Sequence, residues 1–220
     1  MKRIRLIIIL ALAAVAICRA DTYLDYLKAG KTAKDDKNFE LARSFYKQAL
    51  SMVPEDSIQE IYELNSRLQM LCMLELQDYD EALYYGKQKV ALCKKYGSTG
   101  PDMAEDYNMV AANYARMKDK QNCFNYLDSA TYCLQNPTAK NLKQVIEMLG
   151  SIAMAYGQLD EWEKAASNFE IALKYSEKRP LCDAHIKLLA LYANSLYKQK
   201  KILRSSGYFQ KAFDSGRAVL

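Results

Sequence analysis

The sequence predicts an all-α solenoid of about five helix-turn-helix repeats. The main observation is a motif of alternating large and small residues that recurs five times. The first small residue of the motif is Ala42, Ala82, Cys123, Ala165 or Ser205, so successive copies are 40, 41, 42 and 40 residues apart. In addition, no stretch alternates as a strand would, and all four prolines fall between repeats. A fixed period of this length is typical of helical repeat arrays.

The motif itself predicts a closely packed helix. In the first copy it consists of Phe39, Ala42, Tyr46 and Ala49, at offsets of 0, 3, 7 and 10 residues. This spacing places the four side chains on one stripe of an α-helix. Large side chains need space and small ones provide it, so we expect a second helix to pack closely on this stripe. The same slots in the fourth and fifth copies hold Trp162, Ala165, Phe169 and Ala172, then Ile202, Ser205, Phe209 and Ala212.

The second helix of each pair lies just upstream in the sequence. In the first repeat it carries Tyr26, Ala29, Gly30 and Ala33, which again share one helical stripe. Small residues on this stripe let two helix backbones approach. The corresponding residues of the third and fourth repeats are Tyr107, Val110, Ala111, Tyr114, Leu149, Ile152, Ala153 and Tyr156.

The first repeat, residues 23–56, resembles a tetratricopeptide repeat (TPR). The resemblance rests on Tyr26, on Gly30, on the motif that starts at Phe39, and on the closing Pro54. It extends over roughly residues 21–214 and implies a right-handed α-solenoid. The later repeats exceed the usual length of about 34 residues, which implies longer helices. The second repeat departs most, with Gly86 in a large slot and Met70 in a small one.

The prolines and capping patterns set the expected boundaries. Asn136 followed by Pro137 predicts a helix start, and Ser57 with Glu60 predicts a capping box. The prolines between repeats are Pro54, Pro101, Pro137 and Pro180. We expect a signal peptide over residues 1–20 and a TPR solenoid over 21–220, with repeats at 23–56, 57–97, 101–135, 137–178 and 180–214.

The N-terminal segment predicts export. Lys2, Arg3 and Arg5 precede an apolar run over 6–17, and small residues at Cys18 and Ala20 suit a signal peptidase. The run is shorter than the about 18 residues that a membrane span needs. We therefore expect cleavage after Ala20 and a location in the periplasm or cell envelope. Processing as a lipoprotein at Cys18 is the alternative, and the bulky Ile17 disfavours it.

The charge of the mature chain is nearly balanced. The chain has 31 basic residues, and the signal segment contains four of them, which leaves 27 against 26 acidic residues. A nucleic-acid-binding protein would show an excess of basic charge on one face. We therefore expect no nucleic-acid partner, and no membrane span after cleavage.

No motif predicts catalysis, a cofactor or a metal site. The chain lacks a Gly-rich phosphate loop, a serine elbow and paired ligand motifs, and His185 is its single histidine. An odd number of cysteines remains after cleavage, so at least one stays unpaired. Only Cys93 and Cys133, near the ends of successive second helices, are candidates for a disulfide. The five cysteines are Cys72, Cys93, Cys123, Cys133 and Cys182.

The resemblance implies a binding groove on the first helix of each repeat. In TPR proteins the residues of this helix that point away from the packing seam line a concave face. The candidate partner-binding residues are Lys31, Lys34, Arg67, Asn108, Arg116, Asn194, Tyr197 and Lys198. The same face includes Glu75, Glu105, Gln158 and Lys187, with Leu64, Leu71 and Met154 among them. The chain does not carry the ordered Lys, Asn and Arg set of TPR proteins that clamp a peptide carboxyl terminus.

These features favour a non-enzymatic scaffold or adaptor that binds a protein or peptide. The alternative is the extracytoplasmic sensor segment of a bacterial membrane-bound regulator of the histidine kinase or DNA-binding type. The last repeat carries Phe213, Val219 and Leu220, which are not the polar outer face of a terminal cap. This leaves self-association through that repeat as a further expectation.

Overall fold

The computed structural model describes residues 22–177 and 183–217, all of whose regular structure is helical. The chain divides into two compact bodies after Asp78. The first contains α1 (Tyr23–Asp35), α2 (Phe39–Met52) and α3 (Ile58–Leu71), which continues into a π-helical segment (Cys72–Leu76). The second contains α4 (Tyr79–Lys95), α5 (Pro101–Arg116), α6 (Lys120–Cys133), α7 (Leu142–Gln158), α8 (Trp162–Ser176), α9 (Asp183–Lys198) and α10 (Ile202–Arg217). The predicted signal segment, Pro180 and Cys182 lie outside the described residues.

Within each body, the two helices of a repeat pack as a pair, as the motif predicts. In the first body α1 packs on α2, and in the second α5 packs on α6, α7 on α8 and α9 on α10. The small anchors Ala42, Cys123, Ala165 and Ser205 are all buried. The all-α repeat architecture expected from the sequence is therefore confirmed.

The large slots of the last helix differ from the prediction. Tyr46 and Phe169 are buried in their helices, but Ile202 and Phe209 of α10 are about half exposed. The reason is that in earlier repeats the next helix covers this side of the stripe, for example α9 against α8. No helix after α10 is present among the described residues.

A left-handed residue ends the first helix of every repeat. Among residues 22–177 and 183–217, five non-glycine residues have positive φ: Lys37, Gln77, Lys118, Asp160 and Lys200, each five residues before its anchor. A backbone bond from the residue after each turn closes the helix end, as from the Asp119 amide to the Tyr114 carbonyl at 2.9 Å. This is the Schellman arrangement, in which glycine is the usual left-handed residue. The turn geometry thus repeats with the same period as the sequence motif.

Replacing Lys118 with glycine is expected to stabilise the protein. A left-handed conformation costs a residue with a Cβ about 1–2 kcal/mol, and glycine avoids most of that cost. Part of the gain is lost to the greater flexibility of glycine in the unfolded chain, so we expect an increase of about 0.5–1 kcal/mol in the free energy of unfolding. Urea denaturation followed by circular dichroism would measure it. Lys120→Gly, at the first residue of α6, should instead destabilise slightly, because this residue is already helical and glycine has a low helix propensity.

One predicted helix start is wrong, and one predicted capping box does not form. The helix after Pro137 begins at Leu142, because Thr138 and Asn141 exchange bonds in a separate turn, with the Thr138 amide donating to Asn141 Oδ1 at 2.7 Å. Ser57 precedes α3, but its side chain makes no capping bond. A capping box forms instead at Thr22 and Asp25. Side-chain caps depend on local rotamers, which sequence spacing does not fix.

Among residues 22–177 and 183–217, no helix combines the length and the apolar character that a membrane crossing requires.

Candidate functional site

Two of the predicted groove residues meet in one cleft of the first body. The cleft has a volume of about 450 Å³ and lies between α1, α2 and α3. Lys34, in the last turn of α1, lines it, and so does Arg67 from α3. The remaining lining residues are Tyr46, Tyr62, Glu63, Ser66 and Met70. The cleft therefore combines two cationic side chains with three hydroxyl groups and one carboxylate.

Arg67 has an unused hydrogen-bonding group in this cleft. Its Nε is buried and has no hydrogen-bond partner among the described residues. The Arg67 guanidinium also lies near the phenol of Tyr46: burial raises the pKa of Tyr46, and the positive charge of Arg67 partly offsets that rise. A buried donor without an acceptor is costly, of the order of 1–3 kcal/mol.

Tyr46 reaches this cleft because α1 has a glycine opposite it. A Cβ atom built at Gly30 would lie only 2.5 Å from Cε1 of Tyr46. The absence of a side chain at Gly30 therefore lets the tyrosine ring lie against the α1 backbone. The sequence motif identified Tyr46 as a packing residue but did not indicate that it also lines the cleft.

A second cleft lies between α7 and α9 in the second body. It has a volume of about 320 Å³ and an apolar floor that includes Gly150 and Leu188. Lys187 and Met154, both expected on the groove face, line it, and Glu147 and Ser151 add polar groups. Two first helices of successive repeats thus form the walls, which is the placement that the resemblance implied.

Arg116 and Lys198, two of the predicted groove residues, each contact an aromatic ring of the preceding repeat. Arg116 ends α5 with its guanidinium 5.9 Å from the ring centre of Tyr79, and Lys198 ends α9 with its Nζ 5.7 Å from the ring of Trp162. Each cation lies seven residues before the small anchor residue of its own repeat, and each ring lies three residues before the anchor of the preceding repeat. The two contacts therefore join successive repeats as cation–π pairs.

The other predicted residues are not gathered at either cleft. Lys31, Asn194 and Tyr197 are exposed, and Asn108 is half-buried on α5. The walls of the two clefts come from other side chains. Leu64 and Leu71 were expected on the groove face, but they are buried. Counted from Leu64, Leu68 and Leu71 lie at offsets of 4 and 7, so the three share one helical stripe, and that stripe packs inward.

A buried ion pair joins α4 to α5. Lys89 Nζ lies 2.7 Å from Asp106 Oδ1, and both side chains are almost fully buried. Lys89 occupies a small slot of the motif, where the four other repeats have alanine, and Gly86 occupies the large slot three residues before it. The second repeat therefore has a small residue in the large slot and a large residue in the small slot. Asp106 neutralises the positive charge of the buried lysine. A cation in a small slot was the sequence signal for the pair.

The structure contains no Cys93–Cys133 disulfide, since both residues are free thiols. Cys93 Sγ lies 3.1 Å from Asp106 Oδ2, and burial together with this contact raises the pKa of the Cys93 thiol to about 11. Burial likewise raises the pKa of Cys123 to about 11. Thiols with such pKa values are almost fully protonated near neutral pH and react slowly.

The described residues hold no cluster of three or more His, Cys, Asp or Glu side chains able to bind a metal ion. His185 begins α9 and its Nδ1 lies 2.7 Å from Ser176 Oγ. This contact ties the start of α9 to the end of α8, which is a structural role.

Comparison with solved structures shows the fold. The chain is similar to BtubC (BKLC) from P. vanneervenii, with a TM-score of 0.66, 14% identity and coverage of 86% of this chain and 78% of that one. A P. anserina putative kinesin light chain with nearly identical TPR-like repeats has a TM-score of 0.69 and 11% identity, over 89% of this chain and 95% of that one. MamA protein has a TM-score of 0.62 and 17% identity, over 90% of this chain and 93% of that one.

A Rap protein complexed with competence and sporulation factor is also similar, with a TM-score of 0.52 and 16% identity over 89% of this chain and 54% of that one. No protein-family model matches the sequence, and no curated protein matches it. At these identities the likeness concerns the fold alone. The helix pairs, the buried anchors and these neighbours together show that the chain has a TPR-like helical fold.

Proposed function

We propose that the chain is a non-enzymatic scaffold that binds a protein or peptide on the first helices of its repeats. The observation that carries the proposal is the cleft in which Lys34 and Arg67 converge from two helices. Both side chains are cationic and line the cleft, so a carboxylate of the partner is the group that they suit. The TPR-like solved structure of a Rap protein in complex with competence and sporulation factor supports a binding role for this architecture.

The α7–α9 cleft suits a different part of the partner. Its apolar floor fits an aliphatic or aromatic side chain, and Lys187 and Glu147 at its sides can pair with charges of either sign. Mixed apolar and charged linings of this kind are typical of sites that bind peptides. Because the two clefts lie in separate bodies, each is proposed as a site by itself.

Charge reversal in the first cleft is expected to weaken partner capture. Lys34→Glu would remove one of two cations and place a carboxylate beside Arg67, so recovery of the partner in a crosslinking pull-down from the native envelope should fall several-fold. Adding salt to the wild-type protein should have the same effect, because exposed charges are screened. The melting temperature should not change, since Lys34 is exposed.

The matched control for this experiment is Lys28→Glu. Lys28 is also exposed on α1 but does not line the cleft. If both variants recovered the partner as well as the wild type does, the first cleft would not be the binding site. If both failed equally, only the net charge of the helix would matter.

We also propose that the mature protein is exported after cleavage of residues 1–20. The basic start, the apolar run and the small residues before Asp21 support this proposal. Mass spectrometry of the protein from its native host should find Asp21 as the first residue. An acylated Cys18 or an intact Met1 would contradict it.

A further inference from the structure

The outer face of α10 exposes large apolar side chains at positions that are buried in the preceding repeat. Phe209 and Phe213, four and eight residues after the anchor Ser205, are 46% and 60% exposed. At the same positions of α8, Phe169 and Leu173 are 3% and 5% exposed. Ile202 and Leu203 extend the exposed apolar surface toward the start of α10. Contiguous apolar surfaces on a soluble protein generally mark binding sites.

The structure shows what kind of element covers this face in α8. The occupant is α9, and contacts at both ends fix it antiparallel to α8. At one end Ser176 Oγ lies 2.7 Å from His185 Nδ1, and at the other Gln199 Nε2 donates to the Trp162 carbonyl at 2.8 Å. The covering element of this face is therefore a single antiparallel helix.

The face of α10 matches that of α8 closely enough to take the same occupant. Phe209 corresponds to Phe169, Ala212 to Ala172, and Ile202 to Trp162. All three residues of α10 follow the same spacing from their anchor as their α8 counterparts, so their side chains share one stripe. A helix laid on this stripe would meet an alternating large and small surface like the one under α9.

Charges around α10 restrict the chemistry of that helix. Arg217 ends α10 beside Phe213, 5.9 Å from its ring centre, and the exposed Lys200 and Lys201 precede its start. An antiparallel helix would place its C-terminal end near the two lysines, which its macrodipole favours. Its N-terminal end would lie near Arg217, where carboxylates in its first turn are needed. Two copies of α10 would instead bring basic groups together, which disfavours a second copy as the occupant.

We propose that the α10 outer face, formed by Ile202, Leu203, Phe209 and Phe213, binds an amphipathic α-helix of a partner protein. The helix lies antiparallel to α10, with apolar residues at positions i and i+3 and carboxylates in its first turn. The apolar pair is the one that α9 shows at Leu189 and Tyr192, which line one cavity with Leu173 of α8. The surface is separate from the two clefts of the proposed function, so neither proposal depends on the other.

The probe for this site is a fluorescein-labelled synthetic peptide that copies residues 183–197 of the chain, which contain the apolar pair and Asp183, with Ala184 replaced by glutamate to give the first turn a second carboxylate. Its fluorescence anisotropy should rise saturably on titration with the full chain, and a scrambled peptide should not bind. Phe209→Asp together with Phe213→Asp should weaken binding about tenfold or more, because the apolar contact area is lost. The control variant is Tyr132→Asp, an exposed aromatic residue on α6.

Circular dichroism should show a folded helical protein with a cooperative melt for both variants, with a modest fall in melting temperature in the double variant because Phe209 and Phe213 are only about half exposed. The absence of saturable binding would overturn the proposal, and so would equal binding to the wild type and the double variant. Analytical ultracentrifugation of the chain alone gives the remaining outcome. We expect a monomer, and a dimer that dissociates in the double variant would show that a second copy occupies this face.

Discussion

Replacing Asp106 with alanine is expected to lower the free energy of unfolding of the second body by about 3–5 kcal/mol. The change removes the carboxylate that lies 2.7 Å from Lys89 Nζ and leaves the lysine charge buried without this partner. Burial of an uncompensated charge is among the largest costs that a single substitution can produce. Urea denaturation followed by the fluorescence of Trp162, the only tryptophan, reports on this body directly.

Two controls separate the ion pair from a general effect of charge. Lys143→Ala removes an exposed pair in which Nζ lies 3.9 Å from Glu147 Oε1, and should cost less than about 0.5 kcal/mol. The double variant Lys89→Met with Asp106→Leu should recover most of the stability, since apolar groups of similar size often replace buried pairs without loss. A loss below about 1 kcal/mol in Asp106→Ala would show that the pair is not sheltered from water.

Gly30→Ala is expected to destabilise the first body by about 1–2 kcal/mol, although alanine is the better helix former. The substitution gains about 1 kcal/mol in helix propensity. However, the new Cβ would lie 2.5 Å from the Tyr46 ring, and overpacking of this kind costs about 1–3 kcal/mol. Tyr46→Ala alone should cost more, about 3–5 kcal/mol, because it leaves a cavity. Hydrogen exchange of α1 and α2, measured by mass spectrometry, would report the losses.

The sign of the stability change caused by Gly30→Ala tests whether Gly30 and Tyr46 pack against each other. In a Tyr46→Ala background the clash is absent, so Gly30→Ala should become stabilising by up to about 1 kcal/mol. Gly207, inside α10, is the matched control, because a Cβ there would meet no atom within 4 Å. Gly207→Ala should stabilise the wild-type chain. An unchanged sign at Gly30 in both backgrounds would contradict the packing that we describe.

The sequence was sufficient to predict the repeat architecture, because the architecture depends on periodic side-chain size. Ala42, Ala165 and Ala212 occupy small slots that recur at a nearly constant interval, and all three are buried. A helix pair can approach closely only where such residues lie, so their spacing determines which faces pack. The all-α class and the pairing of the helices follow from this rule without further information.

Part of the candidate site was also predictable. The resemblance placed Lys34 and Arg67 on a groove face, and both line one cleft. Arg116 and Lys198 have the spacing of groove residues too, but each lies over an aromatic ring of the preceding repeat. Spacing identifies the side of a helix on which a residue lies. It does not determine which neighbour its long side chain contacts.

The sequence by itself therefore determined the helical repeat and the set of faces that pack, because both depend on local size and period. The tertiary structure decided the rest. The packing of neighbouring helices brings Lys89 to Asp106, places Tyr46 against Gly30 and leaves Phe209 about half exposed. The first two contacts join residues 17 and 16 positions apart, and the exposure of Phe209 depends on which helix packs against it; no local rule specifies such distances in space.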